Sequence, residues 1–343
     1  DVMPRATEHI QEQIQMVERL EEKGYTYTIP DDGIYMDTSL VEDYGKLMWA
    51  NYKKRLADLN AGERVDVWGK RNPTDFALWK FSPRDEKRQM ERDSPWGIWF
   101  PGWHIECSAM ASKYLGEQFD IHHGGTDHIT VHHSNEITQS ECSFWHKPWV
   151  KYWLHNEFLQ VDGGKMSKSL GNIYSLDDIK AKGYSPLDLR YFYFKAQYSN
   201  FLNFTRDALE QAKNERLGLI KKIRNLTPTE WDDDFQEKVY AALWDNLNTP
   251  KLLSDIHLAL LHPTQQTLSL LKELEDKVLK VWLFDPVIEE SIQIPEEVLH
   301  LAEARKQAKA DKNYALADQL RAEILENWWE VKDSKDGFEL IKK

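Results

Sequence analysis

Two lysines flank a Met-Ser pair in a short basic run of the chain. The run ends in a Gly-Asn pair, typical of a turn, and reads Gly164-Lys165-Met166-Ser167-Lys168-Ser169-Leu170-Gly171-Asn172. Ammonium groups on a small loop can stabilise the charge of a triphosphate as it moves toward a leaving pyrophosphate. A generic Lys-x-x-Lys is more often a solvated surface loop, so this spacing alone leaves both interpretations open.

A second group of side chains, upstream, carries a thiol, imidazoles and a carboxylate. His132 and Glu136 are four residues apart, so on a helix they lie on one face. Cys107 could complete a set of three ligands that suits zinc, with one position left open as in catalytic zinc sites. On spacing alone, a surface His/Glu contact and a small core cysteine are the commoner outcomes.

The segments that contain these residues resemble cysteinyl-tRNA synthetases, a family of class I aminoacyl-tRNA synthetases. Four blocks follow the family's order, with His123 in place of one glycine: Gly102 to Met110, Asp120 to Asp127, His132 to Glu136 and Lys165 to Asn172. Further matches extend from Asp1-Val2-Met3-Pro4-Arg5 to Tyr314–Arg321. The resemblance therefore covers nearly the whole chain.

The resemblance implies one zinc ion per chain, bound by Cys107, His132 and Glu136 and binding the thiolate of the substrate. Zinc prefers a thiolate to a neutral hydroxyl, so it could separate cysteine from serine where a hydrophobic pocket could not. The resemblance places Trp103 and Asp127 at the substrate, with Asp127 pairing with the ammonium group. A histidine cluster of the family's active-site floor is matched by His104, His122 and His133. The roles of His123 and His128 stay open.

The resemblance also implies that the basic run binds ATP as its magnesium complex. Lys165 and Lys168 would be the catalytic pair, stabilising charge on the phosphates. The implied ATP-binding set is Lys165, Met166, Ser167, Lys168, Ser169 and Gly125.

The resemblance implies the activity of a cysteine–tRNA ligase, which activates cysteine with ATP to cysteinyl-adenylate and transfers it to tRNA(Cys). One alternative is the related ligase of mycothiol synthesis, which joins cysteine to an amino-sugar inositol; the C-terminal match at Tyr314–Arg321 favours tRNA. The other is a catalytically incomplete tRNA-binding fragment, because the family's HIGH motif and a further metal-binding cysteine have no match. We therefore expect the chain alone to activate cysteine poorly.

The predicted fold is α/β. The resemblance implies a class I Rossmann-like catalytic domain, incomplete at its N-terminus, with an inserted module, an α-helical bundle and a small C-terminal anticodon-side domain. The predicted parts are residues 1–28 (Rossmann-like domain), 29–99 (inserted connective module), 100–176 (second catalytic half, with the zinc site and the basic run), 177–285 (bundle beside the tRNA) and 296–343 (anticodon-binding segment).

Hydrophobic periodicity predicts the elements that position the site. In the N-terminal half we expect a helix over Thr7–Lys23, a strand over Tyr25–Ile29 and a buried strand over Phe119–His122 whose carboxyl end delivers Gly124, Gly125 and Asp127 to a crevice. In the C-terminal half we expect helical segments over residues 205–225, 236–262, 268–284 and 297–327, then a hairpin. Arg84–Asp93 is predicted as an exposed loop or short helix and Pro286–Pro295 as a linker.

Composition limits the cellular compartment and the binding partners that we expect for the protein. The chain has 343 residues, a net charge of −13 and two cysteines, which provide no disulfide framework. No apolar run is long enough to span a membrane, and the low cysteine content fits a reducing compartment, so we expect a cytoplasmic protein. We also expect it to be a monomer. The acidic balance argues against broad non-specific binding of nucleic acid, but local basic runs at Lys221–Arg224 and Arg305–Lys312 could contact tRNA or be solvated helix faces.

Overall fold

The computed structural model describes residues 1–51, 67–82, 91–228, 234–284, 294–334 and 337–342. These residues form two compact units, Asp1–Asn156 and Glu157–Lys343. Most of the predicted loop Arg84–Asp93 and of the predicted linker Pro286–Pro295 lies outside the described residues. Within the described ranges, no helix combines the length and the apolar character needed to cross a membrane.

The N-terminal unit contains a five-stranded antiparallel sheet. In spatial order its strands are Thr26–Ile29, Gly33–Met36, Phe76–Phe81, Gly97–Pro101 and Arg92–Ser94. The helix Ile10–Glu22 buries Ile14, Val17 and Leu20, which recur at helical spacing and share a core cluster with residues of the sheet. The predicted boundary between residues 28 and 29 lies inside the first hairpin of this sheet.

A strand–helix–strand unit completes the N-terminal half. The strand Phe119–Gly125 runs parallel to the strand Val150–Asn156, and the helix His132–Phe144 connects them. The helix Trp103–Leu115 precedes this unit. The prediction of a buried strand at Phe119–His122 was wrong beyond Phe119: the side chain of Ile121 is 59% exposed. Among the described residues the strand has one paired neighbour, so much of its surface is left uncovered.

The C-terminal unit begins with three short strands and continues as helices. The strands Leu202–Phe204, Leu159–Val161 and Gly164–Lys165 form one sheet. The helices of its main core are Leu176–Ala181, Pro186–Tyr193, Arg206–Arg224, Phe235–Trp244, Thr249–Ala259 and Gln265–Leu274. Short 3-10 turns lie at Ala6–Glu8, Thr38–Leu40, Lys46–Asn51, Thr126–His128 and Lys168–Leu170, and a π turn at Glu275–Leu279.

The predicted helical segment over residues 236–262 is two helices. Asn246 and Leu247 adopt left-handed backbone conformations with φ near 51° and 53°, which end the first helix. The Asn248 side chain then accepts a hydrogen bond from the backbone of Lys251 and caps the second helix, which has Pro250 in its first turn.

The end of the chain is a helical pair followed by a hairpin. The helices Glu296–Ala310 and Tyr314–Glu326 lie against each other, and the strands Trp329–Ser334 and Gly337–Lys342 pair antiparallel. The predicted helical segment over residues 297–327 is a pair of helices, and the predicted hairpin is confirmed.

Candidate functional site

Cys107 is positioned by a helix that begins very close to the sheet. Gly102 precedes this helix, and its backbone N–H donates to the carbonyl of Leu78. A β-carbon at Gly102 would lie 2.1 Å from the carbonyl oxygen of Ala77, so the approach requires glycine. The close approach fixes the first turns of the helix, which carry Trp103 and Cys107 on one face.

His132 and Glu136 lie on the first turns of the neighbouring helix. The side chain of Glu136 is fully buried, and His132 Nε2 lies 3.6 Å from Glu136 Oε1. The ligand atoms of Cys107, His132 and Glu136 all lie within 4.8 Å of one another. The structure therefore brings together three side chains that lie on two different helices.

The donor set fits a metal cation. Neither carboxylate oxygen of Glu136 has a hydrogen-bond partner among the described residues, and an unpaired buried carboxylate is strongly destabilising. Burial, and then the charge of Glu136, raise the pKa of the Cys107 thiol to about 12. A cation among these groups would compensate the carboxylate and stabilise the thiolate.

The ring of His132 is oriented by His104. Their Nδ1 atoms lie 2.9 Å apart, so one ring donates a hydrogen bond and the other accepts it. When His132 donates from Nδ1, its Nε2 presents a lone pair toward Glu136 and Cys107. Burial lowers the pKa of His132, which favours the neutral imidazole that binds metals.

Gln139 holds His104 in place. Its side-chain amide donates to the carbonyl oxygen of His104 and to the hydroxyl of Ser108, both at 2.6 Å. The two helices that carry the candidate ligands are thereby joined by buried hydrogen bonds.

Two more histidines lie on the other side of Glu136. His122 Nε2 lies 3.2 Å, and His133 Nε2 3.9 Å, from Glu136 Oε2. His133 Nδ1 lies 2.8 Å from Nε2 of His155. Burial, followed by repulsion from neighbouring histidines, lowers the pKa of His133 to about 2 and that of His155 to about 4.

His155 is a residue of the cluster that the sequence interpretation missed. It lies opposite Gly124 across the parallel strand pair, and no local spacing connects it to the other histidines. The signal that could have found it is the alternation of side chains along the strand Val150–Asn156, which places Trp153 and His155 on the same side of that strand.

The predicted substrate residues lie beside the ligands. The indole of Trp103 is 62% exposed, with its centroid 4.6 Å from that of the His132 ring. Asp127 is exposed in the turn after the strand, and a β-carbon at Gly125 would lie 2.3 Å from its Oδ1. A side chain at Gly125 would therefore displace the carboxylate.

The two histidines of open role have different surroundings. His128 lies edge-on to Trp103, with ring centroids 6.1 Å apart, and 4.9 Å from the His132 ring. His123 is exposed, and its Nε2 lies 3.0 Å from the side-chain oxygen of Asn156. Only His128 belongs to the cluster.

The second cysteine, Cys142, does not belong to the candidate ligand set. Cys142 is buried in the core cluster that contains Leu20 and Trp79, and burial raises its pKa to about 11. Its location in this core indicates a structural role.

The basic run lies in the C-terminal unit as an exposed, internally bonded loop. The backbone N–H of Ser167 donates to the Asn172 side chain, which donates in turn to the Lys165 carbonyl. Met166 packs against the helical core, whereas Lys165 and Lys168 are exposed. Neither lysine forms an ion pair with any described residue.

One predicted basic contact surface is only partly available. Within the run Arg305–Lys312, Arg305 is buried and makes two hydrogen bonds to the carboxylate of Asp333, to which Lys309 also donates. These two charges are used within the fold. The run Lys221–Arg224 lies in the last turn of its helix, where its cations also favour the helix C-terminus.

Sequence comparisons connect this geometry with known proteins. The family model for the tRNA synthetases class I (C) catalytic domain matches residues 1–214. Cysteine–tRNA ligase 1 of Burkholderia lata is 43% identical over 351 residues, which cover 98% of this chain and 71% of that protein. The cysteine–tRNA ligase of Thermococcus gammatolerans is 38% identical over 369 residues, covering 98% of this chain and 75% of that protein.

A structural comparison agrees at the level of the fold. Methionyl-tRNA synthetase of Mycobacterium tuberculosis, solved with methionyl-adenylate, superposes with a TM-score of 0.54 at 15% sequence identity. The match covers 89% of this chain and 72% of that chain. At this identity the similarity concerns the architecture alone.

Proposed function

Because the chain belongs to the cysteine–tRNA ligases of class I, we propose that Cys107, His132 and Glu136 hold the zinc ion, one per chain, by which cysteine is selected. The family's activity joins cysteine to tRNA at the expense of ATP. The observation that carries the proposal is the meeting of the three ligand atoms within 4.8 Å around a buried carboxylate that lacks hydrogen-bond partners.

Selection of the thiol follows from the donor set. Zinc bound here would take the thiolate of cysteine as a further ligand in preference to the hydroxyl of serine. The residues of the chain supply position: His104 fixes the ring of His132, and Trp103 forms an exposed wall beside it. Asp127, exposed at the end of the strand, is suited to pair with the substrate ammonium group.

Activation of cysteine requires stabilisation of the phosphate charges. We assign this role to Lys165 and Lys168, whose ammonium groups are exposed on a loop that Asn172 fixes and Met166 anchors. Ser167, Ser169 and the loop backbone would contact ATP, bound as its magnesium complex. No side-chain nucleophile is required, because orientation and charge stabilisation supply the rate enhancement.

The alternatives from the sequence receive less support. The alignments with the cysteine–tRNA ligases of Burkholderia lata and Treponema denticola cover 98% and 94% of this chain. This extent of similarity favours tRNA over an amino-sugar acceptor. The five-part domain division, a monomeric state and a cytoplasmic location stay predictions.

The proposal is tested by comparing two cysteine variants of the 343-residue chain. We expect the purified chain to contain one zinc ion, Cys107→Ala to lose it on desalting, and Cys142→Ala to retain it, measured by elemental analysis. Isothermal titration calorimetry of the zinc-loaded chain with cysteine and with serine then measures selection. Retention of zinc by Cys107→Ala would refute the ligand assignment.

A further inference from the structure

The two carboxylate oxygens of Glu136 face two different sets of side chains. Oε1 lies 3.6 Å from Nε2 of His132, on the side of Cys107. Oε2 lies 3.2 Å from Nε2 of His122 and 3.9 Å from Nε2 of His133. The ligand atoms of His122, His133 and Glu136 also all lie within 4.8 Å of one another.

The two sets have the same internal construction. In the first set, His132 has its Nδ1 against another histidine, His104, at 2.9 Å and directs Nε2 at the carboxylate. In the second set, His133 has its Nδ1 against His155 at 2.8 Å and directs Nε2 at the carboxylate. Histidines that bind metals are commonly held by a partner at the opposite ring nitrogen in this way.

No hydrogen bond within the described part of the cluster satisfies the second carboxylate oxygen of Glu136, Oε2. Glu136 is fully buried, and Oε2 has no hydrogen-bond partner in the described part of the chain despite the 3.2 Å contact with His122. A fully buried carboxylate oxygen left in this condition is strongly unfavourable. The oxygen is aimed at two imidazole nitrogens that can each present a lone pair toward the same point.

We propose that His122, His133 and Glu136 form a second binding position for a divalent transition metal, next to the zinc position and joined to it by the Glu136 carboxylate. Two imidazoles and a carboxylate suit zinc, cobalt, nickel or iron. Paired metal ions in enzymes lie about 3.5–4 Å apart, so a single carboxylate can serve two adjacent sets of ligands. The second position has no thiolate, so it binds its ion more weakly than the first and loses it on desalting.

Cobalt(II) distinguishes the two positions spectroscopically. Titration of the metal-free 343-residue chain is expected to take up two equivalents. The first produces a thiolate-to-cobalt charge-transfer band, because Cys107 is a ligand, and the second adds only the weaker visible bands of nitrogen and oxygen ligands. Isothermal titration calorimetry counts the equivalents independently.

Variants assign each equivalent to its ligands. His122→Asn and His133→Asn are expected to retain the charge-transfer band and to bind one equivalent. Cys107→Ser is expected to lose the band and still to bind one equivalent. His123→Asn is the matched control, an exposed histidine beside His122 that belongs to neither set, and it should bind two.

Two results would overturn the second position while leaving the zinc site intact. One is a wild-type titration that ends at one equivalent with the full charge-transfer band. The other is a second equivalent that persists undiminished in the His122→Asn, His133→Asn double variant, which would assign it to surface histidines. A thermal unfolding curve of each variant verifies that it is folded.

Discussion

His104 and His132 meet through their Nδ1 atoms at 2.9 Å, and this contact determines which nitrogen of His132 faces Glu136. The two rings belong to different helices, and the Gln139 side chain joins those helices by donating to the His104 carbonyl. The orientation of a candidate ligand therefore depends on a residue that does not itself belong to the ligand set.

Replacement of His104 is expected to weaken metal binding without removing a ligand. His104→Ala should lower zinc affinity by about 10–100-fold, the usual effect of losing a partner that orients a metal ligand. Competition with a chromophoric chelator measures the affinity. His104→Gln, which retains polar side-chain atoms, should recover part of it, and His146→Ala, at a half-exposed surface position, should match the wild type. Unchanged affinity in His104→Ala would contradict the orienting role.

Glu136 presents a test in which stability and metal binding change in opposite directions. Glu136→Gln removes a buried charge without hydrogen-bond partners, so the metal-free protein should become more stable by about 1–3 kcal/mol. The same change should abolish stabilisation by zinc, because an amide is a poor ligand. Unfolding in urea, with chelator and with zinc, measures both effects.

Glu141→Gln is the matched control for this prediction. Glu141 is buried on the same helix, but it pairs with Lys46 and accepts a hydrogen bond from the backbone of Trp149. Its replacement should therefore destabilise the metal-free protein and leave the response to zinc unchanged. A stabilising effect at Glu141 would show that buried charge in general, rather than the unpaired carboxylate, explains the result at Glu136.

Gly124 allows the strand to approach the histidine cluster. A β-carbon at this position would lie 2.5 Å from Cε1 of His133 and 2.9 Å from Nδ1 of His128. Gly124→Ala should destabilise the protein by about 1–3 kcal/mol through overpacking. Gly218→Ala, in a helix where a β-carbon meets no atom within 4 Å, should instead stabilise it by up to about 1 kcal/mol. Thermal and urea unfolding measure both, and equal effects would contradict the close approach.

The sequence sufficed for features that depend on local spacing or on an ordered set of motifs. The spacing of four positions from His132 to Glu136 places both on one helical face, and the structure adds Cys107 from the neighbouring helix. The family and the α/β fold were predicted from the order of the motifs, and the comparisons confirm them.

Features that depend on pairing between distant segments could not be predicted. His155 reaches the cluster because its strand pairs in register with Gly124. Arg305 was predicted either to contact tRNA or to lie on a solvated helix face, yet it is buried against Asp333, 28 residues away. In both cases the deciding partner is a neighbour in space that no local periodicity reveals.

The two lysines of the basic run should affect the activation step rather than the fold. Lys165→Ala and Lys168→Ala remove exposed ammonium groups without ion-pair partners among the described residues, so stability should change by less than about 0.5 kcal/mol. Loss of one group that stabilises transition-state charge should lower kcat for cysteine activation about 10²–10³-fold. Pyrophosphate exchange measures this kcat. Lys277→Ala is the control, because it removes an exposed lysine that pairs with Glu273 one helical turn away. A normal kcat would remove these lysines from the mechanism.

The Asp333 ion pair should make a contribution to stability that depends on pH. Hydrogen bonds from Arg305 and then Lys309 hold the pKa of the Asp333 carboxyl well below its usual range. A depressed pKa means that the stabilisation is complete above the unfolded-state pKa of about 3.9 and is lost as the pH falls through the folded-state pKa. Since Asp333 is half exposed, we expect Asp333→Asn to cost about 1 kcal/mol, constant from about pH 5 to pH 8 and shrinking below about pH 4. Asp311→Asn, whose carboxylate accepts only from the neutral Gln307 amide in the hydrogen bonds described, should show no such dependence. Urea unfolding across this range measures both variants, and a cost that persists unchanged at pH 3 would show that the loss reflects packing rather than the charge of Asp333.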